Sequence, residues 1–349
     1  MAGKSTLNRL ELSGGSQNDL RYKKIVARPE AMEEFFIGEF VRSLDKKTRR
    51  IVLDLDLTED PLYGQQEGRF FHGYYDSYCY LPLYIFCGDW PVVARLRTSD
   101  QDHFEDTVRT VAKVVQAVRA KFPRIKIVVR ADSGFCRDAL MSWCEAHEVQ
   151  YVLGLGRNPV LQRILRGSLR SAKSMLDFNQ SKAERVFKNF SYRAKTWAKH
   201  KRRVVGKAEW TQEGANPRFI ITHIPSDEIQ GRELYEREYC GRGEMENRIK
   251  EQHLDLRADR TSTHFLASNQ LRLWFSTLAY LLLNQLRQRA LVGTELAQAT
   301  CGTIRLKLMK IGAIVKVSVR RVLVSLSANH PMKELWFAVA RKLFTMDTT

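Results

Sequence analysis

Three carboxylates sit where structure alone would not choose them. In RRIVLDLDLTED the apolar Ile51, Leu53, Leu55 and Leu57 alternate with Val52, Asp54, Asp56 and Thr58. Period two places Asp54, Asp56 and Thr58 on one face of a strand. A buried carboxylate costs several kcal/mol unless something pairs with it, so this face is either solvated or functional. In VVRADSGF, Asp132 follows directly on a β-branched run, where a strand ends. Strand ends are where open α/β sheets bind ligands, although an Asp or Ser capping the next helix gives the same pattern. A third carboxylate would complete a cation site, because carboxylates with water and phosphate oxygens suit octahedral Mg²⁺ or Mn²⁺. Two such ions can activate a water or a 3′-hydroxyl and stabilise the leaving oxygen of a phosphodiester.

The candidate third ligand is Glu246, in YCGRGEMENRIKE. Tyr239, Arg242, Glu246, Lys250 and His253 step by three and four residues, which lines them along one face of a helix. Glu244 and Glu251 fall well away from that face and read as solvated ion-pair partners.

These side chains need a scaffold, and the patterning predicts one. Residues 1–50 read as a helical N-terminal segment. From 51 to 156 the order is three strands, helix, strand, helix, strand, an α/β mixed sheet with helical cover. Residues 157–238 form a basic, β-rich insertion, with ten Lys or Arg against two Glu between Ser181 and Trp210. Closing helices follow over 239–290, including the apolar WFSTLAYLLL. The basic segment 291–349 reads as a short helix, a hairpin (AIVKVSVRRVLVSLS) and a final helix.

Composition narrows the function classes. Lys and Arg total 57 against 39 acids, a net charge of +18 and a pI near 9.7, which favours a polyanionic partner, nucleic acid above all. The six cysteines form no C-x-x-C pair and no zinc spacing, so free thiols in a reducing compartment are expected. The ten residues of WFSTLAYLLL fall short of the roughly 20 a membrane span needs. The chain reads as soluble and cytoplasmic, without a membrane partner. AGKST, at 2–6, matches the end of a phosphate-binding loop, but the glycine and strand that must precede it have no room.

Taken together, VLDLDLTEDPLYGQQEG, VVRADSGF and YCGRGEMENRIKE resemble the three motifs of the DDE transposases of bacterial insertion sequences, in the DDE domain group 1 branch. The third carries the pattern Y-x2-R-x3-E-x6-K. The likeness runs through LDLRADRTSTHF to KIGAIVKVSVRRV, and so covers most of the chain. It implies a ribonuclease-H-like fold interrupted by a β-rich insertion. It also implies Asp56, Asp132 and Glu246 as the catalytic, metal-binding triad, with Asp56 preferred to Asp54 because the family's Asp stands two before a Thr. Tyr239, Arg242, Lys250 and His253 are the implied DNA contacts, and His253 stands where the family has lysine. Trp197 or Trp210 is a candidate to stack a displaced base, though a structural role suits either ring.

The implied activity is Mg²⁺-dependent cleavage of element ends and strand transfer, with two ions and Mn²⁺ as a substitute. The implied partners are double-stranded DNA, at element ends and target, and a second copy of the chain when bound to DNA. The implied location is the bacterial cytoplasm, on the nucleoid. Family relatives carry a longer N-terminal region, so this chain is expected to be shortened. Two alternatives stay open: an inactive DNA-binding remnant, and a ribonuclease-H-like nuclease without strand transfer.

Overall fold

The computed structural model describes residues 10–11, 25–197 and 200–346; the AGKST stretch lies outside them. Contacts divide the chain into two units. One comprises Arg28–Glu59 and Gly68–Glu246; the other comprises Asp60–Glu67, Asn247–Thr349 and part of the N-terminal residues.

In the first unit, helix α1 (Pro29–Ser43) leads into β1 (Arg50–Leu57), the strand that the alternating run predicts. A small hairpin follows, β2 (Phe70–His72) with β3 (Ser77–Tyr80), then β4 (Leu83–Cys87) and β5 (Trp90–Arg95). Helix α2 (Phe104–Lys121), β6 (Lys126–Ala131), α3 (Asp138–Ala146) and β7 (Gln150–Leu155) complete the first half. Strands β1, β4 and β5 are antiparallel neighbours, and β6 and β7 run parallel to β1 on its other side. Three antiparallel strands followed by two parallel to the first, with β1 central, is the ribonuclease-H-like arrangement.

The insertion begins with a helix that the basic composition hid, α4 (Pro159–Asn179). Leu161, Leu165 and Ala172 are its buried positions, a helical period diluted by arginines. Strands β8 (Ala183–Tyr192), β9 (Arg202–Thr211), β10 (Gly214–Ala215) and β11 (Arg218–Thr222) are antiparallel. They are not a separate sheet. β11 pairs with β7, so the central sheet continues into the insertion and reaches nine strands.

Strand parity divides the core. Leu53, Leu55, Ile127, Val129, Tyr151 and Leu153 pack with α1 to α4 on one face. Val128, Val152, Val205 and Ile220 pack on the other against Leu234 and Tyr235. Asp54, Asp56 and Arg130 belong by parity to this second face.

The second unit holds α6 (Leu266–Arg289), preceded in the chain by the junction helix α5 (Gly243–Lys250), and then α7 (Cys301–Ile304). WFSTLAYLLL lies within α6, where Trp274, Tyr280, Leu281 and Leu283 are buried. No helix among the described residues is long and apolar enough to cross a membrane. The predicted hairpin is present as β12 (Ala313–Val317) and β13 (Val322–Leu326), followed by α8 (Lys333–Met346). All six cysteines are free; five are buried or half-buried, and Cys240 is exposed.

Candidate active site

Asp54 and Asp56 share a face, yet their surroundings differ. Asp54 is 3 % exposed and forms a two-pronged pair with Arg130, whose Nη2 lies 2.7 Å from Asp54 Oδ2. The same guanidinium donates to the Glu238 carbonyl, tying β1 and β6 to the helical segment above them. A Cβ on Gly241 would lie 2.5 Å from Arg130 Nη1, so a side chain there would push the guanidinium off its partners.

Asp56 stands one residue before the end of β1. Thr58 Oγ1 donates to its Oδ2 at 3.2 Å, and Arg242 Nη1 lies 3.5 Å from its Oδ1. Burial pushes the carboxyl up from 3.8 to about 6. Arg242 and Thr58 work against that rise, and the charges of Asp132 and Glu246 add to it. Asp132 and Glu246 are therefore both near enough to act on Asp56.

Asp132 follows β6 directly, beside the C-terminal end of the parallel β1. Its Oδ1 accepts the Gly134 amide at 2.9 Å, which is the capping role that composition left open. Capping uses one oxygen. Oδ2 has no hydrogen-bond partner among the described residues, and the side chain is half-buried.

Glu246 reaches the site from α5. Its carboxylate is 46 % exposed and accepts from Arg242 Nη2 at 2.6 Å, so Arg242 bridges Glu246 and Asp56. Burial works against the Arg242 charge, but Asp56, Glu246, Tyr239 and Asp132 outweigh it and hold the guanidinium above its ordinary value. Among the described residues, no three Asp, Glu, His or Cys side chains are gathered closely enough to hold a metal. Glu246 faces a cation, but that cation is Arg242.

The sequence matches the family described as Transposase DDE domain group 1 over residues 1–348. The chain belongs to this family. DDE transposases generally use divalent metal ions. No curated protein matches the chain. Among solved structures, a piggyBac transposase synaptic complex with hairpin DNA is similar at 11 % identity and a TM-score of 0.45, over 77 % of this chain and 53 % of that one. An Argonaute from Marinitoga piezophila, with guide RNA and target DNA, gives 8 % identity and a TM-score of 0.24 over 55 % and 26 %. The chain thus spans about half the length of that transposase.

The helical stretch that carries the third motif of this DDE protein is not one uniform helix. A turn of α-helix at Gly231–Glu233 widens to π-helix over Leu234–Tyr239, tightens to 3₁₀ over Cys240–Arg242, becomes α5, and widens again over Glu251–Asp255. The single-face alignment of Tyr239, Arg242, Glu246, Lys250 and His253 therefore does not hold along its whole length, because each π turn resets the angular phase. π turns inside helices are frequent at functional sites.

Tyr239 and Arg242 still meet at the carboxylates. Burial raises the Tyr239 hydroxyl, Arg242 opposes the rise and Asp132 adds to it. Lys250 is exposed at the end of α5. His253 is half-buried; burial lowers its imidazole, with Asp259 opposing, which favours the neutral ring. Glu251 is no solvated charge: it takes both Arg287 nitrogens at 3.1 and 3.2 Å. Trp197 is buried, and the half-buried Trp210 lies under the Lys173 ammonium at 5.5 Å. Neither presents a freely open ring.

One neighbour escaped the sequence reading. Tyr75, in the turn between β2 and β3, has its phenol pushed up to about 12 by burial and then by Asp56, with Tyr74 and Asp132 adding to it. Only the tyrosine pair in HGYYD hinted at it, and a turn tyrosine has no periodicity to betray a role.

Gly154 in β7 fixes the spacing of the site. A Cβ there would lie 2.6 Å from the Tyr239 hydroxyl, 2.8 Å from Ser133 N and 3.1 Å from Asp132 C. The tyrosine can swing away, but the backbone that carries Asp132 cannot. Gly154→Ala is expected to cost about 1–3 kcal/mol. Thermal unfolding checks it, and an unchanged midpoint would mean that the Asp132 loop yields freely.

Proposed function

We propose that this chain is a metal-dependent DNA transposase of a bacterial insertion sequence, in which Asp56, Asp132 and Glu246 are the catalytic carboxylates. The observation that carries the reading is the raised carboxyl of Asp56, buried beside Asp132 and Glu246 at the ends of two parallel strands. Burial raises that carboxyl despite the Arg242 guanidinium 3.5 Å away, and two further carboxylates act on it, so a cation of higher charge would be favoured there. The all-oxygen donor set fits a hard divalent ion, Mg²⁺ or Mn²⁺. Asp56 and Asp132 would hold it, joined by Glu246 once Arg242 releases that carboxylate, because the three are not gathered closely enough in the resting site. Two bound ions would supply an activated water or 3′-hydroxyl and would stabilise the leaving oxygen of the cleaved phosphodiester.

The chain's own groups then have separate duties. Thr58 orients Asp56, and the Gly134 amide orients Asp132. Arg242 neutralises Asp56 and Glu246 in the resting site; released from Glu246, its guanidinium turns to a DNA phosphate, with Tyr239 beside it. Lys250 is a further phosphate contact in its own unit. His253, kept neutral by burial, contacts phosphate as a hydrogen-bonding group rather than as a fixed cation. The partners are double-stranded DNA at element ends and target, with the protein a homodimer on DNA.

The test is a cleavage assay on DNA flanking the coding region, with Mg²⁺, Mn²⁺ or a chelator. Nicked and joined products that need the metal support transposition. Nicking without joining leaves a nuclease. The ion pair between Arg242 and Glu246 favours one second reading, a DNA-binding remnant whose cation site is internally neutralised. DNA binding with no product in either metal would support that remnant and overturn the transposase reading.

A further inference from the structure

Among the described residues, the insertion helix carries a row of cations that no carboxylate pairs. In α4, Arg163, Arg166, Arg170 and Lys173 step by three, four and three residues. At 100° per residue they fall within about 80° of one another. The buried Leu161, Leu165 and Ala172 lie on the opposite side of the helix, against β8 and β9. All four cations are exposed. None makes an ion pair or a side-chain hydrogen bond among the described residues; Lys173 alone has a neighbour, the Trp210 ring. The only acid of the helix, Asp177, closes the stripe one turn beyond Lys173.

Unpaired like charges repel one another and stabilise nothing in the folded chain. Elsewhere this protein spends arginines differently: Arg95, Arg130 and Arg202 are each fixed by carboxylates. A helical row of four cations that no carboxylate pairs fits a polyanion of regular charge. From Arg163 to Lys173 the helix rises about 15 Å. Over that length a duplex carries roughly nine phosphate charges, counting both strands.

We infer that the outer face of α4 is a separate gripping surface for the sugar–phosphate backbone of duplex DNA, apart from the carboxylate site. The inference rests on DNA being the partner, as proposed above. It assigns these residues no base readout, so they add affinity without sequence preference.

The test uses the full chain without metal, bound to a duplex of about 40 base pairs across a salt series. Arg163, Arg166, Arg170 and Lys173 are all changed to Gln. A control variant changes four exposed cations on other elements, Arg28, Lys46, Lys47 and Arg124, so that net charge falls equally. Both sets are on the surface, and thermal unfolding verifies that each variant folds. Each lost phosphate contact flattens the plot of log affinity against log salt by about 0.9. The stripe variant is expected to be shallower than the wild type by about 3–4, and the control by less than about 1. Equal slopes for stripe and control overturn the inference and leave the transposase reading intact. Loss of single-stranded RNA binding with duplex binding unchanged overturns it as well. If the wild type itself fails to bind duplex, the transposase reading falls and takes the inference with it.

Discussion

Asp56→Asn is expected to lower strand cleavage by roughly a thousandfold or more, about 4 kcal/mol of transition-state stabilisation, while raising the stability of the metal-free protein. Asp132→Asn and Glu246→Gln should match the first effect. Only Asp56 should give the second. Its carboxyl is raised from 3.8 to about 6, with burial the first cause and Asp132 and Glu246 adding to it. The folded chain therefore holds this proton at a pH where the unfolded chain has lost it. The stabilisation that the proton brings is whole below about pH 4. It fades as pH rises through 6, and above that the folded state carries a buried, ionised carboxylate. At one pKa unit per 1.36 kcal/mol, the cost above pH 7 is about 3 kcal/mol at most. Asparagine removes the charge and the cost. Denaturant unfolding of both proteins at pH 4 and pH 8, in a chelator, should show the variant gaining only at pH 8. A variant that cleaves at the wild-type rate would remove Asp56 from the triad. One that is destabilised at pH 8 would overturn the account of its surroundings.

Two residues earlier the same substitution logic runs backwards. Asp54→Ala is expected to destabilise the fold by about 3–5 kcal/mol, because it strands the guanidinium of Arg130 in a buried site. Arg130 keeps its bond to the Glu238 carbonyl but loses both carboxylate oxygens. Replacing Asp54 and Arg130 together, by Leu and Met, should recover much of that loss, since an apolar pair of similar bulk carries no stranded charge. Urea unfolding of the single and double variants measures the coupling. A double variant no more stable than the single would show that the stranded Arg130 charge is not the source of the loss. On the proposed assignment, neighbouring carboxylates on one strand face separate into one that holds the sheet to its covering helix and one that serves the chemistry.

Period-two alternation could show that Asp54 and Asp56 share a face, but not which of them is paired. The partner, Arg130, lies on another strand, and its register against β1 is a tertiary fact. Strand β1 was readable from its period-two alternation, and β6 and β7 from short apolar runs bounded by polar residues. Helix α4 was not, because four arginines and lysines on its outer face lowered its apolar content below that of its neighbours. Asp132 was visible as a strand-end residue, since a polar turn after VVR can hardly lie elsewhere. The helical face around Glu246 was drawn assuming 100° for every residue, and the π and 3₁₀ turns break that assumption. Hydrogen-bond shifts of one residue leave no mark in composition. Tyr75 joined the site through a hairpin turn, where side-chain direction follows loop geometry rather than pattern.

On the proposed assignments, the order of elements along the chain bears on when the protein could cut the DNA that it grips. Asp56 and Asp132 lie in its first half, the basic insertion follows, and Glu246 with Arg242 and Tyr239 comes only after it. A nascent polypeptide leaving the ribosome exposes its gripping charges before the last proposed ligand has been synthesised. A product cut short within the insertion keeps two carboxylates and much of the positive surface but has no complete triad. On the proposed assignment, prematurely terminated chains occupy DNA without breaking it. The genome is then spared by the sequence in which the parts are made, with no inhibitor required.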